Sequence, residues 1–309
     1  MSVAFLYPGQ GTEQVGMLHR LPESAGDVLD TAAAVLGVDP HTLDSRQAMV
    51  TGRARQLSLL ISGVAWTREL RRQGVTPAFV AGHSVGIWPA AVAAGAVEFG
   101  DALALVGIRA TEMDRTVAPD LGALVIDGAA ARTVERVVRA HRDRGARVWV
   151  SIVNSPCQVV VAGERGAIDT VVAELTDPGY SRVTPLAPGL AVHTPILGEA
   201  ASRLRHALGS IRIREPEVPI AGLRSGRPLP TADALRTELW STVAEPVRWW
   251  SAVSTLAVRG VAAWIQLPPG RTLLNLLPDH RVACAVDEIG VVESAARVRR
   301  ETTSDPGRQ

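Results

Sequence analysis

The 309-residue chain contains no lysine; all 32 of its basic residues are arginine. That absence removes several chemistries together, because Schiff-base enzymes, pyridoxal-phosphate enzymes and P-loop nucleotide hydrolases each need an amine the chain lacks. Cysteine is nearly as scarce. The separation of Cys157 and Cys284 fits no C-x-x-C or finger spacing, so neither a disulfide framework nor a metal site is expected. Charge of one sign is also missing, since 32 basic residues stand against 31 acidic ones. A net charge of +1 gives no general attraction to nucleic acid or to anionic lipid. No apolar run reaches the roughly 18 residues of a membrane-crossing helix. The first positive charge is Arg20, so the N-terminus lacks the basic start of a secretory signal, and a cytoplasmic location is the expectation.

What the chain does have is apolar content of 47%, ample for a sizeable core, and length for roughly two domains at about 150 residues each. Ser2 to Leu6 reads as a buried strand ending in the turn Pro8-Gly9-Gln10-Gly11. Arg55 to Leu70 repeats apolar residues at helical spacing before Gly74, and Ala78 to Ala81 reads as a second short strand. An alanine-rich helix is predicted to follow through Val97. Residues 121–188 alternate quickly between strand and helix in β-α-β-β-α-β order, which suggests an inserted ferredoxin-like unit. The predicted architecture is therefore an α/β fold. An α/β-hydrolase-like catalytic domain on a parallel sheet occupies residues 1–120 and 189–309, and the ferredoxin-like small domain occupies 121–188. The end of the chain, from Glu301, is polar enough to fray.

Gly82-His83-Ser84-Val85-Gly86 is a G-x-S-x-G pattern between an apolar strand and a helix, the context of a nucleophile elbow. Such a bend would expose the Ser84 hydroxyl and aim the Val85 amide at an oxyanion. Elsewhere the same pattern is an ordinary turn. A serine needs a base, and seven histidines are available. His19, His41, His141, His206 and His280 sit in polar or helical-surface settings and read as solvated. His83 adjoins the nucleophile and fits a substrate contact or a structural role. His193 lies in an apolar stretch broken by Pro195, where an imidazole has no evident packing purpose. Arg109 sits on a helix among other arginines and, read alone, is surface charge.

Six blocks resemble, in order, those of malonyl-CoA:acyl carrier protein transacylases. They are Tyr7 to Gly11 with Val15-Gly16-Met17, Gly82 to Gly86, Arg109 with Met113, Asn154-Ser155-Pro156 with Gln158 to Gly163, His193-Thr194-Pro195, and Pro246-Val247-Arg248-Trp249. The resemblance implies that Ser84 is acylated, that His193 is general base and then acid, and that Gln10 and the Val85 amide form the oxyanion hole. It makes Arg109 the clamp for the substrate's free carboxylate, a role that suits a planar guanidinium. Met113, His83 and Asn154 become supporting residues. Thr242 takes the place of a residue, commonly glutamine, whose backbone carbonyl orients the histidine.

Some features are similar instead to the malonate decarboxylase epsilon subunit: Ile87 after the elbow, Leu267-Pro268-Pro269-Gly270-Arg271, the helix Trp88 to Val97 and the block Gln56 to Trp66. That resemblance implies malonyl-CoA as donor and, as acceptor, the prosthetic-group thiol of the decarboxylase carrier subunit, with other subunits of that assembly as partners. The alternative is a transacylase of fatty-acid or polyketide synthesis, loading the phosphopantetheine of an acyl carrier protein. No permanently bound cofactor is implied. Val192, before the histidine, matches neither residue that accompanies malonyl or methylmalonyl choice in related polyketide acyltransferases. A thioester hydrolase and a non-catalytic carrier-binding subunit are the readings from other classes.

Overall fold

The structure, a computed structural model, describes residues 2–175, 182–186, 189–278 and 283–303. His280, Ser181 and the chain end after Thr303 lie outside the described residues. Among the described residues ten strands form two sheets. The larger comprises β1 (Ser2–Tyr7), β2 (Phe79–Gly82), β7 (Ile220–Ala221), β8 (Pro228–Leu229), β9 (Val261–Gln266) and β10 (Ala283–Ala285), in the order β10-β9-β1-β2-β7-β8. All of its pairings are parallel except β7 with β8. The predicted parallel sheet is thus mixed at one edge, where the chain doubles back with Gly226 at φ 70°. Central β1 is buried at five consecutive positions, the continuous apolar reading of a parallel strand covered on both faces.

The helix Gly52–Arg72 covers the sheet, starting where Thr51 accepts from the Ala54 amide at 3.2 Å. It begins three residues earlier than its apolar repeat. The helix after β2 ends at Ala93, not Val97. Gly95, at φ 70°, takes the left-handed position, and the Ala96 amide closes the turn on Ala91 O at 3.0 Å, so the alanine run continues past a C-cap.

The second sheet comprises β3 (Leu121–Asp127), β4 (Val148–Ser155), β5 (Gln158–Glu164) and β6 (Arg182–Pro185), antiparallel in the order β4-β5-β3-β6. This is the ferredoxin-like order, with helices Ala131–Asp143 and Arg165–Leu175 on one face. Side chains alternate as a pleat requires. On β5, Val159 and Val161 pack with the two helices, while Val160 and Ala162 join the main core. On β4 the alternation breaks, because Val150 pairs Val161 and Ile152 pairs Val160, leaving Ser151 as an extra residue. This bulge reverses parity and turns Ile152 toward the main core. His141 is buried rather than solvated, with Nε2 2.9 Å from Glu174 Oε2 between the two helices.

Candidate active site

β2 runs out through Gly82 into a 3-10 turn at Ser84–Gly86 and then helix Ile87–Ala93. Ser84 is at φ 53°, a conformation costly for a residue with a Cβ, so the surroundings must enforce it. They do so by close approach. A Cβ on Gly82 would lie 2.0 Å from Gly86 O, and one on Gly86 would lie 2.2 Å from Tyr7 O. The His83 amide donates to Tyr7 O and the Gly86 amide to His83 O, each at 2.9 Å, which ties the bend to β1. Among the described residues, the amides of Val85 and Gln10 have no hydrogen-bond partner.

Ser84 Oγ lies 2.9 Å from His193 Nε2. His193 Nδ1 donates to the main-chain carbonyl of Thr242, which fixes the tautomer and leaves Nε2 to accept from the serine hydroxyl. Thr242 is the C-cap of helix Ala232–Ser241, where carbonyls carry the negative end of the helix dipole. Its own hydroxyl turns away, to Glu238 O at 2.9 Å. The loop before the histidine is held from both sides: Thr194 Oγ1 donates to Ala191 O and Ser151 Oγ to Val192 O, both at 2.7 Å. Burial, then the charge of Arg109, push the His193 pKa down to about 3, so the ring is neutral and able to accept a proton.

Arg109 is not surface charge. It is 2% exposed on helix Phe99–Asp114. Nη1 donates to Gln56 Oε1 at 2.5 Å and Nη2 to Ser84 Oγ at 3.3 Å. Among the described residues no carboxylate pairs with it. Burial draws its pKa down to about 10, which still leaves it protonated at neutral pH. A buried cation lacking a counter-ion beside a hydroxyl is a receptor for an anionic group.

His83 turns away from the hydroxyl. Its Nε2 is 3.0 Å from Asn154 Oδ1, and Asn154 Nδ2 donates to Gln158 Oε1 at 3.1 Å, an arrangement that places the His83 proton on Nε2. The ring meets Trp249 edge-on at 5.4 Å. Asn154 lies on β4 and Gln158 begins β5, so His83 ties the elbow to the small sheet, and burial lowers its pKa.

Around Ser84 is a cleft of about 130 Å³. Gln10, Arg109, Met113 and His193 line it on the large-sheet side, and Ala123 and Ile152 of the small sheet face them, with Val192 beside the histidine. Pockets for drug-sized ligands run to roughly 300–1,000 Å³, so this one suits a short acyl group. Of the expected residues, Gln10, His83, Ser84, Arg109, Met113 and His193 line this cleft. Val85 is buried just behind Ser84 in the elbow, Thr242 meets His193 through its carbonyl, and Asn154 meets His83. Ile87 is buried in the core.

Two contributors were not foreseen. Gln56 bridges Arg109 to Gln10 from an apolar helix face, where a buried amide is a readable signal. Ser151 depends on the bulge in β4, which leaves no mark in composition.

The model of the acyl transferase domain family matches residues 4–306. The malonyl CoA-acyl carrier protein transacylase of Escherichia coli K12 is 31% identical over 307 residues, covering 94% of this chain and 98% of the relative. Its Bacillus subtilis 168 counterpart is 29% identical, covering 97% and 98%. FabD from Acinetobacter baumannii superposes with a TM-score of 0.91 at 26% identity, over 98% of this chain and 99% of that one. A malonyl-transacylase in complex with its type II polyketide acyl-carrier protein gives 0.88 at 28% identity, over 96% and 99%. A family match across nearly the whole chain, laid over a serine–histidine pair with an unpaired arginine, makes the conclusion plain: the chain belongs to the acyl transferase family, among the malonyl CoA-acyl carrier protein transacylases.

Proposed function

We propose that the protein transfers a malonyl group from malonyl-CoA, through an ester on Ser84, to the phosphopantetheine thiol of an acyl carrier protein. The observation that carries this reading is Arg109, buried without a counter-ion and 3.3 Å from the Ser84 hydroxyl. A malonyl thioester has a carbonyl for the serine and, two bonds beyond, a carboxylate for the guanidinium. An acetyl group would leave the cation unpaired, at a cost of roughly 1–3 kcal/mol or more.

In the first half-reaction Ser84 Oγ attacks the thioester carbonyl while its proton passes to His193 Nε2. The amides of Val85 and Gln10 receive the oxyanion. As the intermediate collapses, the carbon–sulfur bond breaks and the imidazolium returns the proton to the CoA sulfur. The carrier thiol then repeats the steps in reverse order of partners. Binding of the acyl carboxylate offsets the Arg109 charge that depresses the imidazole, so His193 becomes a stronger base when the right substrate is present. A thioester is already activated, so the chemistry needs no permanently bound cofactor, and a dyad oriented by the Thr242 carbonyl suffices. We assign this chemistry to a catalytic domain of residues 1–120 and 189–309, with 121–188 as a small domain closing over it. The two sheets, and a separate hydrophobic cluster between the small sheet and its helices, support that division.

For the carrier, the names of the relatives favour fatty-acid or polyketide synthesis. None of those described above is a decarboxylase subunit, so the malonate decarboxylase carrier is the weaker reading, supported only by the sequence features at Ile87, Trp88 to Val97, Gln56 to Trp66 and Leu267 to Arg271. A hydrolase has no use for a buried cation beside its ester. The test incubates the protein with labelled malonyl-CoA and holo-carriers of each class. Label is expected on a fatty-acid or polyketide carrier, with little free malonate. Transfer only to the decarboxylase carrier would reverse the carrier assignment, and rapid carrier-independent release of malonate would favour a hydrolase.

A further inference from the structure

Many arginines elsewhere in this chain find carboxylates, as Arg72 does with Glu69 at 2.9 Å, Arg115 with Glu112 at 2.6 Å and Arg224 with Glu245 at 2.5 Å. Arg109, almost wholly buried, is given an amide instead. Gln56 is itself 1% exposed, on the first turns of helix Gly52–Arg72. Its orientation is determined by its neighbours. A guanidinium can only donate, so Gln56 Oε1 must face Arg109, and Nε2 is left to donate to Gln10 Oε1 at 3.0 Å, with Met113 Sδ at 3.8 Å. One guanidinium nitrogen is thereby anchored while the other reaches Ser84 Oγ.

We propose that Gln56 is the specificity-determining residue of the site: it aims Arg109 at the nucleophile without neutralising it, so the cation's missing counter-ion must come from the acyl group. The inference rests on the transacylase reading above. The same amide holds the side chain of Gln10, whose backbone amide faces the oxyanion in that reading, so one residue aligns both ends of the acyl group. A carboxylate of the same shape would satisfy Arg109 internally and remove the reason to prefer a carboxylated acyl group. A shape-matched apolar residue would leave the guanidinium free to swing.

The experiment compares acylation of Ser84 by malonyl-CoA and by acetyl-CoA in wild type, Gln56→Glu and Gln56→Leu, read by intact mass with the melting temperature measured alongside. In Gln56→Glu the new carboxylate stays ionised beside Arg109, and Gln10 can turn its amide to donate, so a folded protein is expected. Its malonyl-over-acetyl ratio should fall by about tenfold or more, through loss of malonyl transfer and not of acetyl transfer. Gln56→Leu should also lose selectivity, mainly as a raised KM for malonyl-CoA. A wild-type ratio in folded Gln56→Glu would overturn the proposal and leave Gln56 a packing residue. Should Gln56→Glu not fold, the ratio in Gln56→Leu decides: a fall supports the assignment and an unchanged ratio overturns it. Wild-type protein that takes no malonyl label defeats the transacylase reading itself, whereas labelled wild type with an unchanged variant ratio defeats only the role of Gln56.

Discussion

Ser84 and His193 stand 109 residues apart, share a hydrogen bond of 2.9 Å, and are the two non-glycine residues of the described chain with positive φ, at 53° and 54°. Neither backbone would adopt that conformation for its own sake. Both are held there by close-packed neighbours, the first by the glycines of the elbow and the second by the Thr242, Ala191 and Val192 carbonyls.

The elbow is a packing requirement, so it should fail sterically before it fails chemically. Gly86→Ala places a methyl group 2.2 Å from Tyr7 O and 2.8 Å from Pro8 O, main-chain atoms that cannot swing aside. The expected loss is at least about 3 kcal/mol of stability, seen as a lowered urea midpoint or as insoluble protein. Stability near wild type in this variant would mean the turn is looser than its contacts indicate.

The histidine is oriented by main-chain oxygens, which separates two nearby hydroxyls. Thr242→Val removes only a bond to Glu238 O and should cost about 1 kcal/mol of stability, with acylation near the wild-type rate. Ser151→Ala unties the Val192 carbonyl, next to the base. Acylation should slow by about tenfold or more for a similar loss of stability, because displacing the base costs rate steeply. Stopped-flow acylation with parallel thermal melts separates the two variants.

Much of this could be read from the chain beforehand, for identifiable reasons. Strand, tight turn and helix around Ser84 are local features, and the antiparallel small sheet follows from a rapid alternation of short runs. Arg109 could not be placed from its own surroundings, since its burial depends on packing of helix Phe99–Asp114 against helix Gly52–Arg72, a long-range fact. His141 reads as solvated for the same reason, its partner Glu174 lying on another helix. Ser151 was invisible because a bulge is a matter of register between two strands. The alanine run misled at Val97 because helix propensity continued beyond a glycine that had already turned the chain.

The native pKa of His193, about 3, lies below the ordinary histidine value, first through burial and then through the charge of Arg109. The unfolded chain therefore binds a proton that the folded site refuses. The imidazole's contribution to stability is complete above pH about 6.5 and declines as the pH falls from there toward 3. In a ¹³C- or ¹⁵N-edited titration the ring should stay neutral through pH 5. In Arg109→Gln, with the second cause removed, its pKa should rise. An unchanged pKa in that variant would show that the guanidinium does not act on the base.

Arg109 should also govern which acyl group is accepted. Arg109→Ala is expected to lose about a hundredfold or more in acylation by malonyl-CoA while acetyl-CoA becomes the better donor, as competition between the two thioesters would show. Lysine is a poor replacement, because its shorter, single-pronged ammonium cannot hold Gln56 and a carboxylate together.

The most direct measurement is the intact mass of the protein after brief mixing with malonyl-CoA, followed by peptide mapping of the adduct. One malonyl group per chain, on Ser84, is expected in the wild type, with none in Ser84→Ala and slow appearance in His193→Ala. A folded wild type that remains unlabelled, or a Ser84→Ala variant labelled as fully as wild type, would contradict an ester at Ser84 and the transfer built upon it.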